Sequence, residues 1–224
     1  ATAEEENSGP NGLAHLKTQL PQMDFAIVGE PTGMNLAIAE KGLLVIDGMA
    51  KGTAGHAAHP NDDNAIYNAL KDIQWIEQYQ FPKVSDLLGP VKMTVTQINA
   101  GQQHNVVPDQ CHFVVDVRVN ECYSNEEVFS IIDEHTKSEM KARSFRLNSS
   151  SIPLDRPFVQ GGINLGRTTY GSPTLSDQAI LSCPSVKVGP GDSTRSHQAD
   201  EYIYLKEIEE GIELYIKMLN EIIK

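Results

Sequence analysis

The sequence predicts an α/β chain interrupted by a β-α-β-β-α-β unit, and three observations carry that prediction. A short continuous apolar run, Phe25-Ala26-Ile27-Val28, stops at Gly29-Glu30-Pro31-Thr32, as a buried strand does where Gly and Pro end regular structure. Between residues 41 and 150 the apolar period switches in the order strand, helix, strand, strand, helix, strand, which is the split ferredoxin-like pattern. Beyond residue 152 helix and strand signals alternate again and close in a long amphipathic helix.

Gly12–Leu20 is helix-like. Gly42–Ala50 reads as the first strand of the inner unit. Asn64–Gln80 predicts a helix in which Ile66, Leu70, Ile73, Trp75 and Ile76 recur near the helical period. Val91–Ala100 alternates Val91, Met93, Val95 and Gln97, and His112–Asn120 sets Phe113, Val115, Val117 and Val119 on one face. Ser124 and Glu127 form a capping box that opens a helix running to about Met140, and Ser144–Leu147 supplies the last strand. This sheet is expected to pack both helices on one face. Downstream come a helix near Phe158–Gly166, the segment Ser172–Leu181, a strand at Ser185–Val188 and a helix at Leu205–Ile223. The stripe of that last helix is Ile208, Ile212, Tyr215, Leu219 and Ile222. The expected domains are therefore 1–40 with 152–224, an α/β body, and 41–151, the inserted unit. The outer body holds few strands for a doubly covered sheet. That thinness and the absent initiator Met predict further sequence upstream.

The chain has 224 residues, ample for a core that needs no disulfide or metal staple. Asp and Glu outnumber Lys and Arg 30 to 18, for a net charge of −12. That balance argues against a nucleic-acid partner, because phosphate binding needs surplus base, and against a polybasic membrane anchor. No apolar run approaches the ~18 residues of a membrane span. The opening Ala1-Thr2-Ala3-Glu4-Glu5-Glu6 has neither the basic nor the apolar region of a signal peptide. Cys111, Cys122 and Cys183 lack CxxC or zinc-finger spacing; so odd and sparse a set suits a reducing compartment, and a cytoplasmic location is expected.

Several residues could carry chemistry. Three adjacent carboxylates, Glu4-Glu5-Glu6, repel unless solvated, protonated or neutralised by a cation. They read either as a solvated acidic loop or as a metal ligand beside a general base. Glu30 directly follows a buried strand, where α/β sheets keep their ligand sites; a turn-capping carboxylate is the plainer alternative. His197 ends the Gly-rich stretch Gly189–His197 after a strand, either as a metal ligand through neutral imidazole or as a surface residue. Glu and His together suit zinc or a similar ion. His56 and His59, in Gly55-His56-Ala57-Ala58-His59-Pro60, lie in a loop with no acid or Cys closely before them. Hydrogen-bond donation by His56 outweighs metal ligation there. Arg118 shares a strand face with Val114, Asp116 and Asn120. That face is either the solvent side of a sheet or the place of a guanidinium fork for a substrate carboxylate.

Taken together, Glu4-Glu5-Glu6, Gly29-Glu30-Pro31-Thr32, Gly55-His56 with Pro60, Asn105-Val106-Val107-Pro108, Val115-Asp116-Val117-Arg118, Gly189-Pro190-Gly191 and Ser196-His197 form an ordered set. In order and approximate spacing it resembles the dinuclear zinc amidohydrolase and peptidase family. That family includes acetylornithine deacetylase, succinyl-diaminopimelate desuccinylase and carboxypeptidase G. The resemblance covers nearly the whole chain, and Gly-Glu-Pro-Thr with Ser172-Pro173-Thr174-Leu175-Ser176-Asp177-Gln178 looks most like the acetylornithine deacetylase branch. It implies a zinc-peptidase-like α/β catalytic domain in which the β-α-β-β-α-β insert is the lid or dimerisation domain.

The resemblance also implies roles. Glu5 is the general base. Glu6 and His197 are ligands of one zinc and Glu30 of the other, with cobalt or manganese as possible substitutes. His56 stabilises the oxyanion in a partner subunit's site. Asn105 and Arg118 hold the substrate, and Ser176, Asp177 and Gly189 line the same pocket. The implied activity is hydrolysis of the amide of an N-acyl amino acid, N-acetylornithine or a related N-acetyl or N-succinyl intermediate of arginine biosynthesis, by a homodimer joined through the lid. A di- or tripeptidase of the same superfamily is an alternative, as is a truncated, inactive relative that serves as a dimerising or binding module. The family's upstream His-x-Asp motif and bridging Asp are not found in this sequence. Three of the five protein ligands are therefore supplied, and the chain by itself is expected to be inactive or nearly so.

Overall fold

A five-residue strand, Leu36–Glu40, buried at every position, organises the first of the two units into which the chain divides. The structure, a computed structural model, describes residues 9, 11–196 and 198–223. One unit comprises Ala1–Lys41 and Ser149–Lys224, the other Gly42–Asn148. Along the chain run α1 (Leu13–Leu16), β1 (Ala26–Val28), β2 (Leu36–Glu40), β3 (Gly42–Lys51), β4 (Gly55–His56), α2 (Ala65–Gln78), β5 (Lys92–Ala100), β6 (Val106–Val107), β7 (Gln110–Val119) and α3 (Asn125–His135). They are followed by β8 (Glu139–Ala142), β9 (Ser150–Ser151), α4 (Pro157–Asn164), β10 (Thr169–Ser172), β11 (Ser185–Lys187) and α5 (Leu205–Leu219).

The first unit is built on a mixed sheet in the order β1-β11-β2-β10, with β9 also pairing β2. β1 runs parallel to β11, β11 antiparallel to β2, and β2 parallel to β10. Leu36, Ile38, Val186 and Val188 pack with Phe158 and Val159 of α4 and Met218 of α5 to form its core. The sequence reading missed β2 and β10. Leu36-Ala37-Ile38-Ala39 is a short apolar run of the fully buried kind, but the charged Glu40 that closes it hides the strand. The last helix also differs from expectation. Gly211 and Met218 are its buried positions, whereas Ile208 and Ile212 of the expected stripe are 36% and 55% exposed. Leu214, Tyr215, Leu219 and Ile222 pack at the core's margin. The helix is aliphatic on more than one side, so spacing alone did not select the buried side.

In the second unit the antiparallel sheet runs β5-β7-β3-β8. Leu44, Ile46, Phe113, Val115 and Val117 bury one face against Ala65, Ala69 and Ile76 of α2 and Val128 and Ile132 of α3, so both helices cover the same face, as expected. The capping box is present: Ser124 Oγ accepts from Glu127 N (3.1 Å) while Ser124 N donates to Glu127 Oε2 (2.8 Å). The helix stops at His135, short of Met140, and the following strand is Glu139–Ala142, earlier than Ser144–Leu147. The cause is Asp72, buried to 5% exposure, whose carboxylate takes the N–H groups of Lys137 (3.1 Å) and Ser138 (2.8 Å) and so turns the chain out of the helix. A bulge at Thr96 pairs Val95 with Val115 but Gln97 with Val114, which ends the alternation along β5. Asn120, expected on the polar face of its strand, is instead fully buried just past the strand end. There its amide donates to Gly89 O at 2.8 Å and accepts from Cys122 N at 3.2 Å. Among the described residues no helix is long and apolar enough to cross a membrane.

Gly48 of β3 lies opposite Phe113, and a Cβ there would come within 2.4 Å of the ring. Gly48→Ala is expected to destabilise the chain by about 1–3 kcal/mol through overpacking. Adding Phe113→Leu should recover part of the loss in urea unfolding, because it removes the ring that clashes.

Candidate functional site

β1 and β11 leave their parallel ladder together. Val188 N donates to Val28 O at 3.0 Å, and the two chains then part into the loops Gly29–Thr32 and Gly189–Gly191. The loops stay joined. Thr32 N and Met34 N donate to Gly189 O at 3.1 and 2.9 Å, Gly33 N donates to Gly191 O at 2.7 Å, and Gly189 N donates to Thr32 Oγ1 at 3.1 Å. A Cβ on residue 189 would lie 2.6 Å from the carbonyl oxygen of Glu30, so only glycine permits this approach. Glu30 and Gly189 are thus brought together at the carboxyl ends of two parallel strands, the usual place for a ligand crevice in such sheets.

The stretch beyond Gly191 is also fixed. Asp192 accepts from Thr194 N (2.9 Å) and Thr194 Oγ1 (2.8 Å), and these bonds hold its carboxyl below the ordinary range. Arg195 donates to Glu207 Oε2 at 2.8 Å and lies over the rings of Tyr202 and Tyr204. Glu5, Glu6 and His197, named from the sequence as base and ligands, lie outside the described residues. Among the described residues no group of three or more His, Cys, Asp or Glu side chains is placed to hold a metal ion. Glu30 alone of the expected ligands can be located.

In the second unit His56 and Asn105 are neighbours. β4 pairs with β6, His56 opposite Val106, and Ala57 N donates to Asn105 O at 2.9 Å. His56 is exposed, and its Nδ1 accepts from Ala58 N at 3.1 Å. A ring nitrogen that accepts carries no proton, so the neutral ring keeps its N–H at Nε2, a donor. Arg118 is a fork already in use: Nε and Nη2 donate to Asp116 Oδ1 and Oδ2 at 2.8 and 3.0 Å. Nη1 takes no part in that pair, in which both side chains are about one-third exposed.

Ser176 and Asp177 are placed differently from Glu30 and Gly189. Ser176 is 5% exposed; its N and Oγ donate to Glu40 Oε1 (3.1 Å) and Oε2 (2.8 Å). Its hydroxyl is occupied inside the fold, and Asp177 opens the short helical turn Asp177–Ile180. β2 begins at the Gly189 loop and ends at Glu40, so Ser176 sits roughly a strand's rise, ~13 Å, from the Glu30 loop.

The residues that sequence reasoning missed are Glu40 and Lys187, with 0% and 4% exposure. Lys187 Nζ lies 3.4 Å from Glu40 Oε2 and donates to Ser172 Oγ (3.0 Å) and Thr174 Oγ1 (3.1 Å). Burial pushes the Glu40 carboxyl above its ordinary value, and the Lys187 ammonium and the Ser176 bonds offset only part of that rise. A signal was available. Each charge interrupts a run that otherwise reads as buried strand, and a buried charge requires a partner.

Residues 38–144 match the model of the peptidase dimerisation domain family. Succinyl-diaminopimelate desuccinylase 2 of Ruegeria sp. (strain TM1040) is 23% identical over 247 residues, covering 98% of this chain and 62% of that protein. The succinyl-diaminopimelate desuccinylase of Wolbachia pipientis subsp. Culex pipiens (strain wPip) is 26% identical over 239 residues, covering 96% and 59%. Among solved structures, aminopeptidase PepT from Bacillus cereus ATCC 10987 superposes with a TM-score of 0.75 at 18% identity, covering 100% of this chain and 63% of that one. The Bacillus subtilis YXEP protein, a dinuclear metal-binding peptidase, does so with a TM-score of 0.67 at 17% identity, covering 98% and 62%. The structural likenesses show the fold, a mixed α/β architecture with an inserted dimerisation domain. The chain spans about three fifths of the length of the curated relatives it matches.

The buried pair makes a checkable statement about stability. Because the folded state raises the Glu40 pKa, this group's contribution is full below the unfolded value of about 4.3 and is lost as pH rises through the folded value. Glu40→Gln should flatten that part of the pH–stability curve in urea unfolding. Lys187→Met, which strands the carboxylate, should cost about 3–5 kcal/mol at neutral pH, and adding Glu40→Gln should return most of it.

Proposed function

We propose that this chain, which belongs to the dinuclear zinc amidohydrolase and peptidase family, is part of a metal-dependent hydrolase of the amide bond in N-acyl amino acids. The observation that carries the proposal is the seam between the Glu30 loop and the Gly189 loop. It sets an acidic residue and the lead-in to position 197 side by side at the carboxyl ends of parallel strands. In this reading Glu6, Glu30 and His197 contribute to holding a divalent cation, zinc with cobalt or manganese as substitutes. Of these three, Glu30 is the one that lies among the described residues. Such a cation, when bound, supplies a water whose pKa is lowered to about 7.

The chain's own residues then divide the work. Glu5 takes a proton and passes it to the departing amine. The Nε2–H of His56 is a donor for a developing oxyanion, and the acceptor role of Nδ1 supports that assignment. Asp116 holds the Arg118 guanidinium in one orientation, which leaves Nη1 to donate to a substrate carboxylate. The names of the matched relatives favour an N-succinyl amino acid of the diaminopimelate type over N-acetylornithine. The proposed partner is a second copy of the protein, joined through the unit that holds β5. β5 is an edge strand, and on the overlying α2 Tyr67 and Leu70 are 64% and 47% exposed.

Two experiments test this reading on the intact protein. With zinc supplied, hydrolysis of N-succinyl-diaminopimelate, N-acetylornithine and a tripeptide should show a preference for the acylated amino acids. Glu5→Ala should lower kcat by about 10²–10⁴ and His56→Ala by about 10²–10³; undiminished turnover in Glu5→Ala would refute the mechanism. In sedimentation at micromolar concentration the protein should run as a dimer and Leu70→Glu as a monomer. A monomeric unaltered protein would remove the pairing proposal.

A further inference from the structure

A cavity of about 650 Å3 lies in the Gly42–Asn148 unit and shares no lining residue with His56, Asn105 or Arg118. We propose that it binds a small phosphorylated anion, a ligand separate from the amide substrate. Three of the chain's 18 basic residues, Lys51, Lys71 and Lys137, line it, although the chain as a whole carries a net charge of −12.

The two acids in the lining are both engaged by other groups, and three lysines against two carboxylates leave the lining net positive. Asp72 is engaged by the backbone N–H groups of Lys137 and Ser138 and by the Ser138 hydroxyl. Its charge thereby fixes the segment that presents Lys137. Glu139 meets Lys51 at 3.0 Å, but both side chains are more than 60% exposed, so the pair is weak and gives way to a stronger anion. Lys71 lies on α2 one turn from Asn68, whose Oδ1 accepts from its ammonium at 3.3 Å.

The geometry favours phosphate over a single carboxylate. Three ammonium groups are point charges that can surround a tetrahedral dianion from several directions, whereas a lone carboxylate is best met by a planar guanidinium. No arginine lines the cavity. Its wall is aromatic: the Trp75 ring stacks on His135 (5.1 Å, 13°) and on Tyr79 (4.6 Å, 28°). Those two rings are only 5.8 Å apart, so they lie over the same face of the indole. His135 is anchored in turn, Nδ1 donating to Ile131 O at 2.8 Å. A rigid aromatic wall beside three cations suits a phosphate ester with an apolar or planar remainder.

Trp75 is the chain's single tryptophan, so intrinsic fluorescence reports on this cavity. The test is titration of the purified chain with inorganic pyrophosphate, with citrate and sulfate at matched ionic strength as separate arms. The expected result is a saturable fluorescence change with pyrophosphate that is at least about tenfold weaker in Lys71→Gln/Lys137→Gln. The same variant should keep the melting temperature of the parent when no anion is present. Three results would overturn the proposal: no saturation, equal affinity in the variant, or saturation by citrate or sulfate as tight as by pyrophosphate. If the double variant melts early, Lys51→Gln alone is read in the same way and must weaken pyrophosphate binding.

Discussion

A carboxylate with no exposed surface closes the central strand of the first unit, and much of that unit is arranged to make it tolerable. Removing an ion from water costs several kcal/mol unless charge and hydrogen bonds replace the solvent. Glu40 receives an ammonium from β11 and an amide and a hydroxyl from Ser176. The ammonium is in turn held by Ser172 and Thr174. One buried pair thereby joins β2, β10, β11 and the 172–176 turn. Hydrophobic burial makes the sheet stable, but it does not choose which strands lie side by side. A charge pair that can be satisfied in only one arrangement does.

The second unit uses the same device at smaller scale. Asp72, buried on α2, captures two backbone N–H groups just past α3 and so decides where that helix ends and the edge strand begins. In both units the residue that fixes a boundary is an acid within an apolar setting.

That pattern explains what was legible in the sequence. The inner unit was readable because its signals are local: period-two alternation in β3 and β7, helical spacing in α2, and the Ser124–Glu127 box that the structure reproduces atom for atom. The α3 terminus was not readable, because it depends on a residue more than sixty positions away. Nor was β2, whose Glu40 looks like a surface residue until Lys187 is seen beside it. Of the candidate site, the proximity of Glu30 to Gly189 follows from strand-end chemistry that sequence shows. The engagement of Arg118 by Asp116 was hidden although the two residues are adjacent on one strand face, because side-chain pairing is not encoded by spacing alone. Ser176 read as a pocket residue and proved to be a partner of the buried acid.

The chain leaves the first unit after Lys41 and returns at Ser149, and the exit and the return are tied to one place. Ser150 pairs with Glu40 and Ser151 with Ala39 across β9 and β2, while the Ser149 hydroxyl donates to Glu40 O at 2.7 Å. The residues that flank the intervening 107-residue segment, Gly42–Asn148, are therefore ladder neighbours. A segment whose ends are already clasped can be lengthened, exchanged or reduced to a tight turn without stretching the body it leaves. Different inserts can in this way be carried by one scaffold, and protein engineers have a ready-made splice point between residues 41 and 149.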